Sequence, residues 1–278
     1  MRKIGTPTSV YFGLGDAHDG FFKMKSHGFD SADYQNLVNT ENELFALSDS
    51  EFEKRLLAHK EAAKEAGVVI NQTHGPWRSP KDATDKDRAE RFEKMTKTLW
   101  ATSLLGSKHM AIHPIMPYGT GANPEPERFM ELNFEFFTKL TAEAKKYGVI
   151  ICFENMPFPA LTLSSTKQIA DFVRTINSDN FKMCLDTGHC AVMKESPADA
   201  LRSCGDIIKI MHVHDNDGSH DSHKFPFDGV IDWEDFGKAL SDVNEDVVLS
   251  LETSASRSAE NWEEIQKDLC NRVKKLII

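Results

Sequence analysis

Six positions carry a histidine or a carboxylate where an apolar run gives way to a polar loop: His74, His113, Glu154, Asp186, His214 and Glu252. Imidazole nitrogens and carboxylate oxygens are the ligands of Zn²⁺, Mn²⁺ and Co²⁺, and carboxylates also suit Mg²⁺. The mixture leans towards Zn²⁺ or Mn²⁺ and leaves Mg²⁺ and Co²⁺ open. A second layer of the same residue types follows: His189, three residues after Asp186, then Asp221 and His223 in a polar loop. Taken singly, each has a structural explanation, a helix cap for a carboxylate or a filled polar gap for a histidine. Their coincidence at successive strand ends argues for a shared metal site. Glu154 and Glu252 are spaced to flank a bound molecule. One could take a proton from carbon and the other return it, with a metal stabilising the enediolate oxygen. His212 shares a strand face with His214 but sits one layer deeper, and is expected to stand behind the site.

Elements that end at these residues must converge. Apolar runs at 9–12, 28–33, 68–73, 109–112, 149–153, 181–185, 207–211 and 247–251 read as strands. Helical patterns alternate with them, at 84–105, 125–147, 197–204, 232–243 and 259–276 among others. Ser48 with Glu51 and Ser165 with Gln168 are capping boxes. Short buried strands alternating with helices mean parallel βαβ units. Eight of them in 278 residues point to an α/β protein built as a single (β/α)8 TIM barrel, one domain over 1–278. Such a barrel gathers its strand ends on one rim, which is where the six residues fall.

Composition limits the partners. With 40% hydrophobic and 27% charged residues the chain has the makings of a globular core. No apolar run approaches the roughly 20 residues of a membrane span, and the N-terminus lacks an apolar signal region. Five cysteines without CxxC spacing read as reduced thiols, and the expected location is cytoplasmic. The net charge of −10 argues against a nucleic-acid partner. Residues 114–124 contain no Lys or Arg, and 215–231 only Lys224. Oligomeric state is left open, a homo-oligomer being compatible with the sequence.

His74-Gly-Pro-Trp, Phe153-Glu-Asn-Met, Leu185-Asp-Thr-Gly-His, His212-Val-His-Asp and Leu251-Glu-Thr together resemble the xylose isomerase-like TIM-barrel superfamily. That group holds sugar and sugar-phosphate isomerases and epimerases, and also endonuclease IV. The epimerase branch implies one metal on Glu154, Asp186, His214 and Glu252, the two glutamates as acid and base, and His189 on substrate hydroxyls. Asp221-x-His223-x-x-Pro226 followed by Gly229-Val-Ile-Asp-Trp233 resembles a stretch of proteins called sugar-phosphate isomerases/epimerases, except that Phe227-Asp228 stands where glycine is usual. The endonuclease branch implies three zincs: one on His74, His113 and Glu154, a second sharing Glu154 with Asp186, His214 and Glu252, a third on His189, Asp221 and His223. Donors for one to three ions are therefore present. Rim loops poor in Lys and Arg favour sugar chemistry over a phosphodiesterase acting on abasic DNA or a small phosphate ester. The expected substrate is a small sugar or sugar phosphate. Trp77 is read as a wall of its pocket, and Arg257 as a residue near the phosphate-binding corner of many barrels.

Overall fold

The computed structural model describes residues 2–12, 16–77, 82–255 and 258–277. Eight strands pair in sequence order, all parallel, and close into a barrel: β1 (Ile4–Pro7), β2 (Ser31–Tyr34), β3 (Val69–His74), β4 (His109–Ile112), β5 (Ile150–Glu154), β6 (Phe181–Asp186), β7 (Ile208–Val213) and β8 (Leu249–Leu251). Around them run α1 (Ala17–Ser26), α2 (Asp49–Ala66), α3 (Asp85–Leu104), α4 (Pro126–Tyr147) and α5 (Thr166–Ile176). The ring continues through α6 (Thr187–Val192), α7 (Pro197–Cys204), α8 (Trp233–Ala239) and α9 (Trp262–Lys274). The expected TIM-barrel architecture is borne out. Among the described residues no helix is long and apolar enough to cross a membrane.

Strand alternation sorts the side chains into two cores. Outward-facing residues pack under the helices, as where Phe153 meets Phe137 at 4.7 Å and Phe172 at 5.1 Å between ring centroids. Ala111, Cys152, Cys184 and Ile210 form a separate small cluster. Each keeps the strand parity of a polar residue further along: Cys152 of Glu154, Cys184 of Asp186, Ile210 of His212. On the β4–β7 side the barrel interior is therefore apolar below and ionisable at the rim. All five cysteines are buried and free.

Two elements differ from expectation. The first strand is Ile4–Pro7, and Thr8–Val10 is a 3-10 turn, so the run at 9–12 is not a strand. Its aromatic residue Tyr11 is instead packed against Phe29 and Trp262, with its hydroxyl 3.1 Å from His27 Nδ1. The polar-looking Ile-Gly-Thr-Pro segment bridges β2 and β8, closing the barrel where small residues fit. The short helix α6 was not anticipated. It starts directly from Asp186, whose carboxylate accepts from His189 N at 2.7 Å. The two capping boxes expected at Ser48 and Ser165 are present, with a third at Thr84 and Asp87.

Candidate active site

Strand ends bring the expected residues to one rim, but with a different member at the centre. Glu154, Asp186, His212 and Glu252 offer ligand atoms that all lie within 4.8 Å of one another. His212 Nδ1 stands 3.1 Å from both Glu154 Oε1 and Glu252 Oε1. His214, expected in this group, is not its imidazole. Sheet register is the reason: His212 pairs level with Asp186 across β6 and β7, so His214 rises above the layer. His212 accordingly lies in the group rather than behind it.

His214 turns towards the second layer. Its Nε2 lies 3.0 Å from Asp186 Oδ1 and 3.6 Å from Asp221 Oδ1. Asp221 also meets His189 Nε2 at 3.2 Å and His223 Nε2 at 3.1 Å. On the other flank Glu154 Oε2 is 3.1 Å from His113 Nε2 and 3.6 Å from His74 Nε2. The groups the rim holds include His74–His113–Glu154, the central four, Asp186–His189–His214 and His214–Asp221–His223. Gly188 makes this packing possible, because a Cβ there would lie 1.9 Å from the His214 ring.

The surroundings fix the protonation states. Burial would push Glu154 up, but His212 and His113 overcome it and hold the carboxyl well below its ordinary range. Burial brings His113 down to about 4, leaving a neutral ring with a free lone pair. His189 is lowered by burial, then raised to about 10 by Asp186, Asp221 and Glu154. Three rings are keyed by main-chain carbonyls: His74 Nδ1 on Gly75 O at 2.9 Å, His189 Nδ1 on Asn155 O at 2.7 Å, His223 Nδ1 on Glu252 O at 2.6 Å. A carbonyl only accepts, so a neutral ring in each place carries its proton on Nδ1 and turns a bare Nε2 inward. Bare nitrogens facing carboxylate oxygens leave lone pair against lone pair, an arrangement that needs a proton or a cation between. Among the described residues Glu154 Oε2 and Asp221 Oδ1 are buried without a hydrogen-bond partner. Donor chemistry and orphaned oxygens both fit a divalent cation.

Asn155 orients the ligand set: its amide spans Asp186 N at 2.8 Å and Asp186 O at 3.0 Å. Two residues missed from the sequence also face the site. Asp33, buried at the end of β2, is pushed up to about 6 by burial, and Gln35 donates to it at 2.9 Å. Gln72 lies 2.7 Å from His212 Nε2. Both interrupt strands at inward positions, Gln72 two residues before His74, and that parity was the available signal.

A cleft of about 290 Å³ opens over the group, lined by His74, Trp77, His113, Phe158 and Glu252 among others. Trp77 packs edge-on against His113 at 4.3 Å, as a wall residue would. Arg257 lies outside the described residues. The Gly229–Trp233 segment is a structural clip. Buried Asp215 accepts from Gly229 N at 3.0 Å and from Trp233 Nε1 at 2.7 Å, holding the loop that carries Asp221 and His223. Gly229 has no room for a Cβ, which would fall 2.1 Å from Asn216 O. Phe227, standing where glycine is usual, has φ +75°.

Known proteins share this arrangement of elements. D-psicose 3-epimerase of Enterocloster bolteae is 24% identical over 196 residues, 69% of this chain and 64% of that protein. Inosose isomerase of Bacillus licheniformis is 26% identical over 174 residues, 60% of this chain and 62% of that one. The chain thus spans less than two thirds of the length of either. Among solved structures, a D-psicose 3-epimerase superposes with a TM-score of 0.79 at 17% identity, covering 99% of both chains. An IOLI protein with a bound zinc atom superposes at 0.73 and 19%, covering 99% of this chain and 96% of that one. A family profile described as xylose isomerase-like TIM barrel matches residues 21–276, nearly the whole barrel. The chain belongs to the xylose isomerase-like TIM-barrel family.

Proposed function

We propose that this protein is a divalent-metal-dependent isomerase or epimerase of a small sugar or sugar phosphate. The observation that carries the reading is the meeting of Glu154, Asp186, His212 and Glu252 within 4.8 Å at the floor of a sugar-sized cleft. The names of its relatives, a psicose epimerase and an inosose isomerase, support the same class. Those four residues would hold the ion, and the zinc atom of the IOLI structure makes Zn²⁺ a natural first choice, with Mn²⁺ next. When bound, the ion supplies Lewis acidity that stabilises negative charge on the substrate oxygens.

The chain's own groups do the rest. Glu154 is kept ionised by His212 and His113, and Glu252 is the more exposed carboxylate, at 13% against 1%. One takes the proton from the carbon beside the carbonyl, and the other returns a proton to the opposite face or the neighbouring carbon. His189, which lines the cleft, would orient hydroxyls. Trp77 and Phe158 wall the cleft and exclude water from it. The test is wash-in of solvent deuterium at the substrate carbon. Glu252→Gln should lose it on every sugar that wild type exchanges, while keeping the barrel folded. Retained exchange in that variant would remove Glu252 from the chemistry.

A second reading has its own observation. With His189, which groups with Asp186 and His214, the contiguous groups present nine ligands besides His212, enough for three ions and a phosphodiesterase. Elemental analysis separates the two: one ion per chain supports the isomerase, three support phosphate-ester cleavage.

A further inference from the structure

The cleft over the ligand group does not end at Glu252. A groove of about 430 Å³ continues from it across the seam where β1 closes on β8. Gln35, His223 and Glu252 border both spaces. Beyond them the groove is lined by Ser9 and Val10 of the turn after β1, by Thr253 and Ser254 after β8, and by Ser222. It is larger than the cleft of about 290 Å³ that lies over the carboxylates. A small-molecule site typically encloses roughly 70–90% of its ligand's surface. A single sugar ring over Glu154 and Glu252 would leave the larger space unused.

The residues at the junction are fixed by their own contacts. Gln35 Nε2 donates to Asp33 Oδ2 at 2.9 Å, and its Oε1 accepts from Ser9 Oγ at 3.0 Å. Its main-chain N–H donates to Thr8 Oγ1 at 3.1 Å. His223 has its Nδ1 2.6 Å from the Glu252 carbonyl, and its own carbonyl accepts from Thr253 Oγ1 at 2.6 Å. Its ring stacks on His214 at 4.1 Å. These ties hold His223 at φ +45°, a left-handed conformation that a non-glycine residue keeps only where its surroundings impose it.

The lining selects the kind of group. Loops after strands 7 and 8 are where many barrels bind a phosphate. Among the described residues this lining holds no Lys or Arg, and an anion would face the Glu252 carboxylate. It offers instead the hydroxyls of Ser9, Ser222, Thr253 and Ser254 beside the apolar surfaces of Pro7 and Val10. A hydroxyl can both donate and accept. Ser222 Oγ is buried without a hydrogen-bond partner. Hydroxyls mixed with small apolar surfaces suit an uncharged sugar ring, which presents both.

We propose that the substrate is a glycosylated keto sugar: its reacting unit lies over Glu154 and Glu252, and a second, uncharged sugar unit occupies the groove. The inference rests on the isomerase reading above and narrows its substrate class. The reacting unit keeps its carbonyl free, so the second unit hangs from a hydroxyl at its far end. The proton leaves and returns beside the carbonyl, and the bond between the two units is neither made nor broken.

The test uses the full-length protein supplied with Mn²⁺ or Zn²⁺ and follows deuterium wash-in. The probes are D-fructose, D-psicose and D-tagatose, each also glucosylated and phosphorylated at its terminal carbon. For any sugar that exchanges, the glucosylated form should show a kcat/KM at least about tenfold above its parent, the return on two or three ordinary hydrogen bonds. Ser254→Trp, at an exposed position on the groove, should fill it and abolish that preference. The wild-type comparison stands even if the variant fails to fold. A glucosylated form that exchanges no faster than its parent overturns the groove as a sugar site. So does a preferred phosphorylated form, or a preference that Ser254→Trp leaves unchanged, and all three leave the isomerase reading intact. Exchange on no sugar of the panel overturns that reading itself.

Discussion

Replacing Glu252 by Gln should make the metal-free protein more stable, not less. Oxygens of Glu154, Asp186 and Glu252 lie within 4.8 Å of one another. At that separation and an effective dielectric constant of about 20, each like-charged pair costs at least roughly 3.5 kcal/mol. Burial lowers the His212 pKa, but Cys184, Glu252 and Glu154 raise it well above its ordinary value, so without metal the ring is a cation. Within the central four Glu252 therefore meets two repulsions, together roughly 7 kcal/mol, and one attraction at 3.1 Å of roughly 5 kcal/mol, a net repulsion of about 1.5–2 kcal/mol. Its side chain is 13% exposed, and solvent screening brings the net down to about 1 kcal/mol. For a chain of this size that is roughly 2–4 °C of melting temperature. Calorimetry in EDTA and then with saturating Zn²⁺ or Mn²⁺ checks both halves. The metal-free variant should melt higher than metal-free wild type, and its gain on adding metal should be smaller. A metal-free Glu252→Gln that melts at or below wild type would refute the reasoning, because the three carboxylates would not then be crowding one another as charges.

Three further outcomes are expected. His212→Asn should weaken metal binding by more than the roughly 10–100-fold of an outer partner, whereas His214→Asn should stay within that range, as read by competition with a chromogenic chelator. Acid stability should carry the mark of His59, which burial, helped by Arg55, lowers to about 4 while its Nδ1 meets the Tyr34 hydroxyl at 2.8 Å. A base whose folded pKa is depressed costs nothing above about 6.5, and stability falls as pH drops from there towards about 4, by up to about 3 kcal/mol. His59→Gln should flatten that part of the stability profile measured by urea unfolding. Asp215→Ala removes the acceptor of Gly229 N and Trp233 Nε1 and should cost about 3–5 kcal/mol, seen in chemical denaturation together with easier proteolysis of the loop at 215–233.

Much of the site was legible because a parallel barrel turns strand order into spatial order. His74, Glu154 and Asp186 end their strands, and His113, His214 and Glu252 follow theirs by one residue. What an apolar run cannot tell is the height at which its polar end stands. The exchange of His214 for His212 is a register effect, set by the irregularity between Met183 and Cys184 in the pairing of β6 with β7. The first strand was misplaced for a related reason. Ile-Gly-Thr-Pro lacks an apolar signature, and it forms a strand because its neighbours offer it two edges. The Gly229–Trp233 motif was visible as a pattern, but its purpose depends on Asp215, whose partners are distant in sequence. Asp33 and Gln72 were passed over as strand residues, although their inward parity marked them.

The most direct test of the account is the position of a bound ion, found by anomalous diffraction from crystals grown with Mn²⁺ or Zn²⁺. One ion should touch Glu154, Asp186, Glu252 and the Nδ1 of His212. An ion held by His214, Asp221 and His223 with the central four empty would contradict it, as would a barrel that binds no ion at all.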